Sequence, residues 1–126
     1  MKEFKIFVNN KTGELARVTE ALAAQAVNIL ALSSEGGSPN AFLRIVTGDV
    51  ATTEKALKKS GLSFELNEII DVELIDRPGE LAKIARRLAR QGVNVESIYI
   101  LGTRDGKTRI AMTVSDLGKA RAAVGG

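Results

Sequence analysis

Apolar and polar positions alternate near the start of the chain, where Phe4, Ile6 and Val8 interleave with Lys5 and Phe7. They alternate again where Ile70, Val72 and Leu74 interleave with Asp71 and Glu73. A period of two predicts strands. After each strand the period lengthens. Leu15, Val18 and Leu22, then Leu81, Ile84, Ala85 and Leu88, recur at helical spacing. Further strands are predicted from Asn28 and from Asn94, followed by the loops EGGSPN (35–40) and TRDGK (103–107). Asp105-Gly106 is a strong hairpin signal. Third strands are expected at 41–47 and 108–114, and second helices from near Asp49 and Asp116, the first of them stopping at Gly61. A fourth strand, 62–67, is expected only in the first half.

The two halves are one phrase written twice. A shift of 66 residues lays Gly13, Glu14, Leu15 and Ala16 on Gly79, Glu80, Leu81 and Ala82. The same shift lays Leu22, Gln25, Val27 and Asn28 on Leu88, Gln91, Val93 and Asn94. A shift of 67 then lays AFLRIVTGD (41–49) on TRIAMTVSD (108–116), as one added loop residue would require. Chance does not produce this many aligned identities. The expected fold class is α+β: two tandem ferredoxin-like βαββαβ units, residues 1–67 and 68–126, the second lacking its last strand.

Composition narrows the chemistry. The 126 residues include neither cysteine nor histidine, which excludes disulfides, thiolate nucleophiles, Cys/His metal sites and Ser-His-Asp triads. No carboxylate pair demands a catalytic role, so the expectation is a non-enzyme without metal or cofactor. There is no run of 18 apolar residues and no signal-like start, and the reading is a cytoplasmic protein with no membrane partner. The net charge of +3 is evenly spread, with 8 basic and 7 acidic residues in 1–66 and 10 and 8 in 67–126. Aromatics are only 4%, which argues against a base-stacking surface. Lys83, Arg86, Arg87 and Arg90 form a basic stripe opposite the apolar face of their helix. It reads as a solvated outer face, with an acidic partner or nucleic acid the minority reading.

Pro78, Gly79 and Glu80 suit the first three positions of a helix, and the first unit places Gly13 at the same point as Gly79. Glycine inside a helix is unfavourable. Its repetition points either to a tight turn or to a place where a backbone or ligand comes close. Amides at a helix start bind carboxylates. Asn10 and Asp76, three residues before each glycine, stand at the end of the first strand. Asn28 and Asn94 stand at the start of the second. If those two strands are neighbours, donors for a carboxylate lie beside acceptors for an ammonium group, as in a receptor for an α-amino acid.

The spacing DRPGELA, helix, GVNV, echoed by NKTGELA…AVNI, resembles the ACT domain, a small regulatory module of amino-acid metabolism. The resemblance covers nearly the whole chain as two tandem ACT units. It implies a free amino acid bound where two such units meet, with regulation of a metabolic enzyme in trans. The implied contacts are Asn10, Thr12, Gly13, Glu14, Leu15, Asn28 and Ile29, and in the second unit Asp76, Pro78, Gly79, Glu80, Leu81, Asn94 and Val95. Val8 and Leu74 stand where serine-binding members carry histidine, Asp76 replaces asparagine, and Ala26 replaces glycine. The alternatives are a nucleic-acid-binding ferredoxin-like module and a structural subunit without ligand.

Two expectations concern assembly. The stretch 62–76 places Phe64, Leu66, Ile70, Val72 and Leu74 on even positions, which predicts a nearly continuous strand bent near Asn67. Phe7, Phe42 and Val46 form an apolar set whose counterparts are Glu73, Arg109 and Thr113. With the missing fourth strand, this predicts a homodimer that covers a bare edge.

Overall fold

The structure, a computed structural model, describes residues 1–9, 11–36 and 41–125. It divides into Met1–Asn67 and Glu68–Gly126. The first unit runs β1 (Lys2–Val8), α1 (Glu14–Ala24), β2 (Ile29–Glu35), β3 (Ala41–Thr47), α2 (Val50–Lys59) and β4 (Ser63–Glu68). The second runs β5 (Ile70–Ile75), α3 (Glu80–Arg90), β6 (Val95–Arg104), β7 (Lys107–Val114) and α4 (Leu117–Val124). The first sheet has the order β2-β3-β1-β4 and the second β5-β7-β6. Each is therefore an α+β ferredoxin-like unit, and among the described residues the second has no fourth strand. Only Ile69 separates β4 from β5, and the two strands belong to different sheets.

Each helix packs because its apolar stripe has one face to bury. Val18 and Leu22 of α1 and Ala56 and Leu57 of α2 meet Phe4, Ile6, Leu43 and Ile45 of the strands. Ile84 and Leu88 of α3 and Ala120 of α4 meet Ile70, Val72, Ile110 and Met112. Burying such a side chain stabilises by roughly 1.5–3 kcal/mol. Leu15 and Leu81 of the helical pattern are not core residues: they are 47% and 44% exposed. One turn before Val18 and Ile84, they overhang the strand-to-helix loop.

The helix ends are tied by side chains where the sequence offers them. Asp49 caps α2 by accepting from the Thr52 N–H at 3.1 Å, and Asp116 caps α4 by accepting from the Lys119 N–H at 3.0 Å. The Thr53 hydroxyl donates to the Asp49 carbonyl at 2.7 Å. It therefore accepts from the Thr47 hydroxyl at 2.8 Å, which fastens the end of β3 to α2. The hairpin at Asp105 and Gly106 has φ of 52° and 73°, the left-handed pair of a type I′ turn.

Three helices close in the same way. Val27, Leu62 and Val93 donate to the carbonyls of Leu22, Leu57 and Leu88, each at 3.0 Å. Each then buries its own side chain. This closure needs a left-handed residue just before the apolar one. Gly61 and Gly92 supply it, but in the first helix the position is Ala26, with φ of 56°. An L-residue there is strained by about 1–2 kcal/mol, partly offset by the lower chain entropy of alanine when unfolded. Ala26→Gly is expected to raise stability by about 0.5–1 kcal/mol, and Gly92→Ala to lower it by a similar amount. Chemical denaturation of both variants against the parent chain checks this; destabilisation by Ala26→Gly would remove strain from the account.

Candidate functional site

The strand-to-helix loops are built around one unusual backbone conformation. Gly13 and Gly79 have φ of +93° and +87°, a region open to glycine and hard for other residues. Both precede their helix as its N-cap, since α1 begins at Glu14 and α3 at Glu80. This corrects the expectation that the glycine, and Pro78 before it in the second unit, lie inside the helix. It also answers why glycine recurs: a β-carbon there would meet nothing within 4 Å, so the turn, and not close approach, selects it. The glycine carbonyls open the helices by accepting from Arg17 N–H at 2.9 Å and Lys83 N–H at 3.0 Å. Neither N-cap has a side chain to bond the first-turn amides, so these donors and the positive end of the helix dipole face the loop.

The glutamate after each glycine takes a different partner in each unit. Glu14 is buried, and its Oε2 accepts from the Asn9 N–H at 3.1 Å with Arg17 Nη1 at 3.5 Å. Glu80 instead accepts from Arg77 Nε at 2.6 Å and Lys83 Nζ at 3.1 Å. The Arg77 hydrogen bond, reinforced by Lys83, holds the Glu80 carboxyl below its ordinary value. Asp76 is exposed, with its backbone fixed by N–H donation to the Gly106 carbonyl at 2.8 Å. Thr12 and Pro78 are exposed beside the glycines. Asn10, its counterpart, lies outside the described residues, as does 37–40 of the first β2–β3 loop.

The asparagines lie elsewhere. Because β3 stands between β1 and β2, and β7 between β5 and β6, the first two strands of a unit are not neighbours. Val8 pairs with Ala41 and Ile29 with Thr47, about 20 Å apart along β3. Ile75 pairs with Lys107 and Val95 with Val114, about 23 Å apart along β7. Within one unit the glycine loop and the asparagine are thus at opposite ends of the sheet, and the expectation that they form a single receptor edge is corrected. Asn28 and Asn94 are exposed, and Ile29 and Val95 after them are half-buried. The Asn94 backbone is paired both ways with Ser115, accepting from its N–H and donating to its hydroxyl, each at 2.9 Å.

The second-unit loop borders a half-open cavity of about 200 Å³ whose walls include Leu74, Asp76, Arg77, Glu80, Leu81, Ile100 and Ile110. Arg77 and Ile100 were not singled out in the sequence. Ile100 comes to the loop only through the register set by the Asp105-Gly106 hairpin, and that hairpin was the signal that could have found it.

On the strand face away from the first core, Phe7 pairs directly with Phe42. Lys5 Nζ stands 4.4 Å from the Phe42 ring centre and Arg44 Cζ 4.9 Å from it, so cations cover this apolar pair. Phe7 remains 39% exposed, whereas Val46 is buried. In the second unit Arg109 forks onto Asp71, whose hydrogen bond raises the guanidinium's pKa. Glu3, fully buried, accepts at one oxygen from Arg44 at 3.2 Å and Asn67 at 2.9 Å, linking β1, β3 and β4. The basic stripe of α3 is exposed. Among the described residues no group of His, Cys, Asp or Glu could hold a metal ion, and no helix is long and apolar enough to cross a membrane.

Two tandem ferredoxin-like units, each with a glycine-capped loop between its first strand and helix, define a paired small-domain architecture. A family model described as "ACT domain pair" matches residues 1–122, and the chain belongs to that family. A Bacteroides thetaiotaomicron protein of solved structure is similar at 28% identity and a TM-score of 0.86, over 97% of this chain and 84% of that one. The regulatory subunit of aspartate kinase from Thermus thermophilus superposes with a TM-score of 0.71 at 19% identity, over 98% and 87% of the two chains. That from Thermus flavus gives 0.61 at 22%, over 98% and 90%. At those identities the two kinase subunits speak for the fold. No curated protein matches the chain.

The carboxylates with depressed pKa generate a pH prediction. Glu80, held down by Arg77 and Lys83, and Asp49, held down by the Thr52 hydroxyl and N–H, have folded values below the ordinary 4.5 and 3.8. Their contribution is complete above those values and is lost as pH falls through the lower folded ones. The melting temperature is expected to fall on acidification below about pH 4.5, and to fall less steeply in Glu80→Gln and Asp49→Asn. Thermal melts from neutral pH to about pH 3 check this; identical acid limbs in parent and variants would refute it.

Proposed function

We propose that this chain is a non-catalytic regulatory module of the cytoplasm that binds a free amino acid and acts in trans on an enzyme of amino-acid metabolism. The observation that carries the reading is the repeated loop. In both units a helix N-terminus is left without a side-chain cap, in the second beside the exposed Asp76 and in the first three residues after Asn10 in the sequence, in a chain of the ACT domain pair family. The amides and dipole suit a carboxylate; Asp76, and Asn10 through its side-chain oxygen, suit an ammonium group. Support comes from the fold shared with proteins described as regulatory subunits of aspartate kinase.

The separation of loop and asparagine within a unit gives the reading its form. A site that uses both takes them from two ACT modules, and we assign the second to another copy of the chain in a homodimer. Asn28 and Asn94, exposed in the single chain, are then the residues that complete a loop from outside.

A thermal-shift screen of the twenty amino acids is expected to give at least one stabiliser. At 100 times its dissociation constant a ligand stabilises by about 2.7 kcal/mol, a rise of several degrees for a chain of this size. Asn28→Ala or Asn94→Ala is expected to weaken that binding by roughly 1–3 kcal/mol while leaving the unliganded melt nearly unchanged, as for most exposed positions. A flat response to all twenty at millimolar concentration sinks the reading, and unchanged affinity in both variants removes the asparagines from it.

Light scattering is expected to give twice the 13.4 kDa chain mass. A monomer at high micromolar concentration, with and without amino acid, excludes the assembly.

A further inference from the structure

We propose that the two loops are not equivalent: the first is closed by its own glutamate, and the second is the receptor, selective for amino acids with aliphatic side chains. The proposal rests on the amino-acid reading above and names the site and ligand class within it.

The first loop already contains a carboxylate. Glu14 turns inward, is 6% exposed, and takes the Asn9 N–H at 3.1 Å beside the dipole of α1. A ligand carboxylate arriving there meets a buried charge of its own sign, balanced by a single cation, Arg17, at 3.5 Å. In the second unit Glu80 also lines the cavity, but two cations, Arg77 at 2.6 Å and Lys83 at 3.1 Å, neutralise it. Arg77 commits only its Nε to Glu80, and a guanidinium carries five donors. The remaining donors and the first-turn amides of α3 after Glu80, whose own N–H donates to the Arg77 carbonyl at 3.4 Å, offer a carboxylate site, with Asp76 on the same cavity wall for the ammonium group.

The walls set the side-chain class. The second-unit cavity is lined by Leu74, Ile75, Leu81, Ile100 and Ile110. Three of its apolar side chains are otherwise left to solvent: Ile75 is 50% exposed, Leu81 44% and Ile100 68%. The corresponding first-unit cavity, about 170 Å³, has Asn9 where the second has Ile75, and Ser34 where it has Ile100. At about 200 Å³ the second cavity is below the roughly 300–1,000 Å³ of sites for drug-sized ligands. A single aliphatic amino acid is of the size such a space admits, and burying its side chain against these walls is the favourable term.

The test is isothermal titration of the full chain with L-leucine, L-isoleucine and L-valine against L-serine, L-lysine and L-aspartate. The expected result is one ligand per chain, with the aliphatic three at least about ten-fold tighter than the polar three. Ile100→Ser copies the first unit at an exposed position, so the fold is kept, as circular dichroism will show. It is expected to weaken L-leucine binding about five- to ten-fold. Binding led by serine, lysine or aspartate, two ligands per chain, or an unaltered affinity in Ile100→Ser overturns this inference while the amino-acid reading stands. Silence from all twenty amino acids overturns both.

Discussion

The third strand of each unit decides what the rest can do. A helix that returns to bury Val18 and Leu22, or Ile84 and Leu88, on the sheet it left makes the first two strands run parallel, and parallel strands cannot be joined by a tight turn. The space between them is filled by β3 or β7, antiparallel to both. This places the end of the first strand and the start of the second at opposite ends of the sheet. Every repeated polar feature of the sequence is sorted by that arrangement. The glycine loops go to one end and the asparagines to the other, so within one unit they cannot share a site.

Positive φ is the second constraint, and it accounts for most of the conspicuous glycines. At Gly13 and Gly79 it starts a helix, and at Gly61 and Gly92 it ends one. The exception, Ala26, makes the same closure under strain, because burial of Val27 against the core outweighs about 1–2 kcal/mol of backbone cost. Such a position can keep a non-ideal residue as long as the apolar residue after it remains well packed.

The duplicated units have diverged in charge more than in shape. The central strands of the first carry Lys5, Phe7, Phe42 and Arg44, with cations stacked on rings; the second carries Asp71 paired with Arg109 and Glu73 paired with Lys107. Exposed pairs of this kind contribute little to stability, so the difference is free to serve recognition. The same divergence reaches the loops, where an identical glutamate takes the Asn9 N–H and Arg17 in one unit and Arg77 and Lys83 in the other. One substitution, Lys11 to Arg77, brings a fork with the reach to hold Glu80.

Much of this was determined by the sequence alone. Alternation at Phe4–Val8 and Ile70–Leu74, helical spacing, the caps Asp49 and Asp116, and the Asp105-Gly106 hairpin are local signals. Local backbone physics acts on them regardless of context, and the repeat multiplied their weight. Tertiary structure alone decided the rest, because it depends on which strands are neighbours. That Leu15 and Leu81 overhang a loop instead of entering the core, that Ile100 lines the cavity, and that loop and asparagine stand about 20 Å apart all follow from strand order and register. Those are set by the best burial of the whole apolar surface, a property that no single segment of the chain carries.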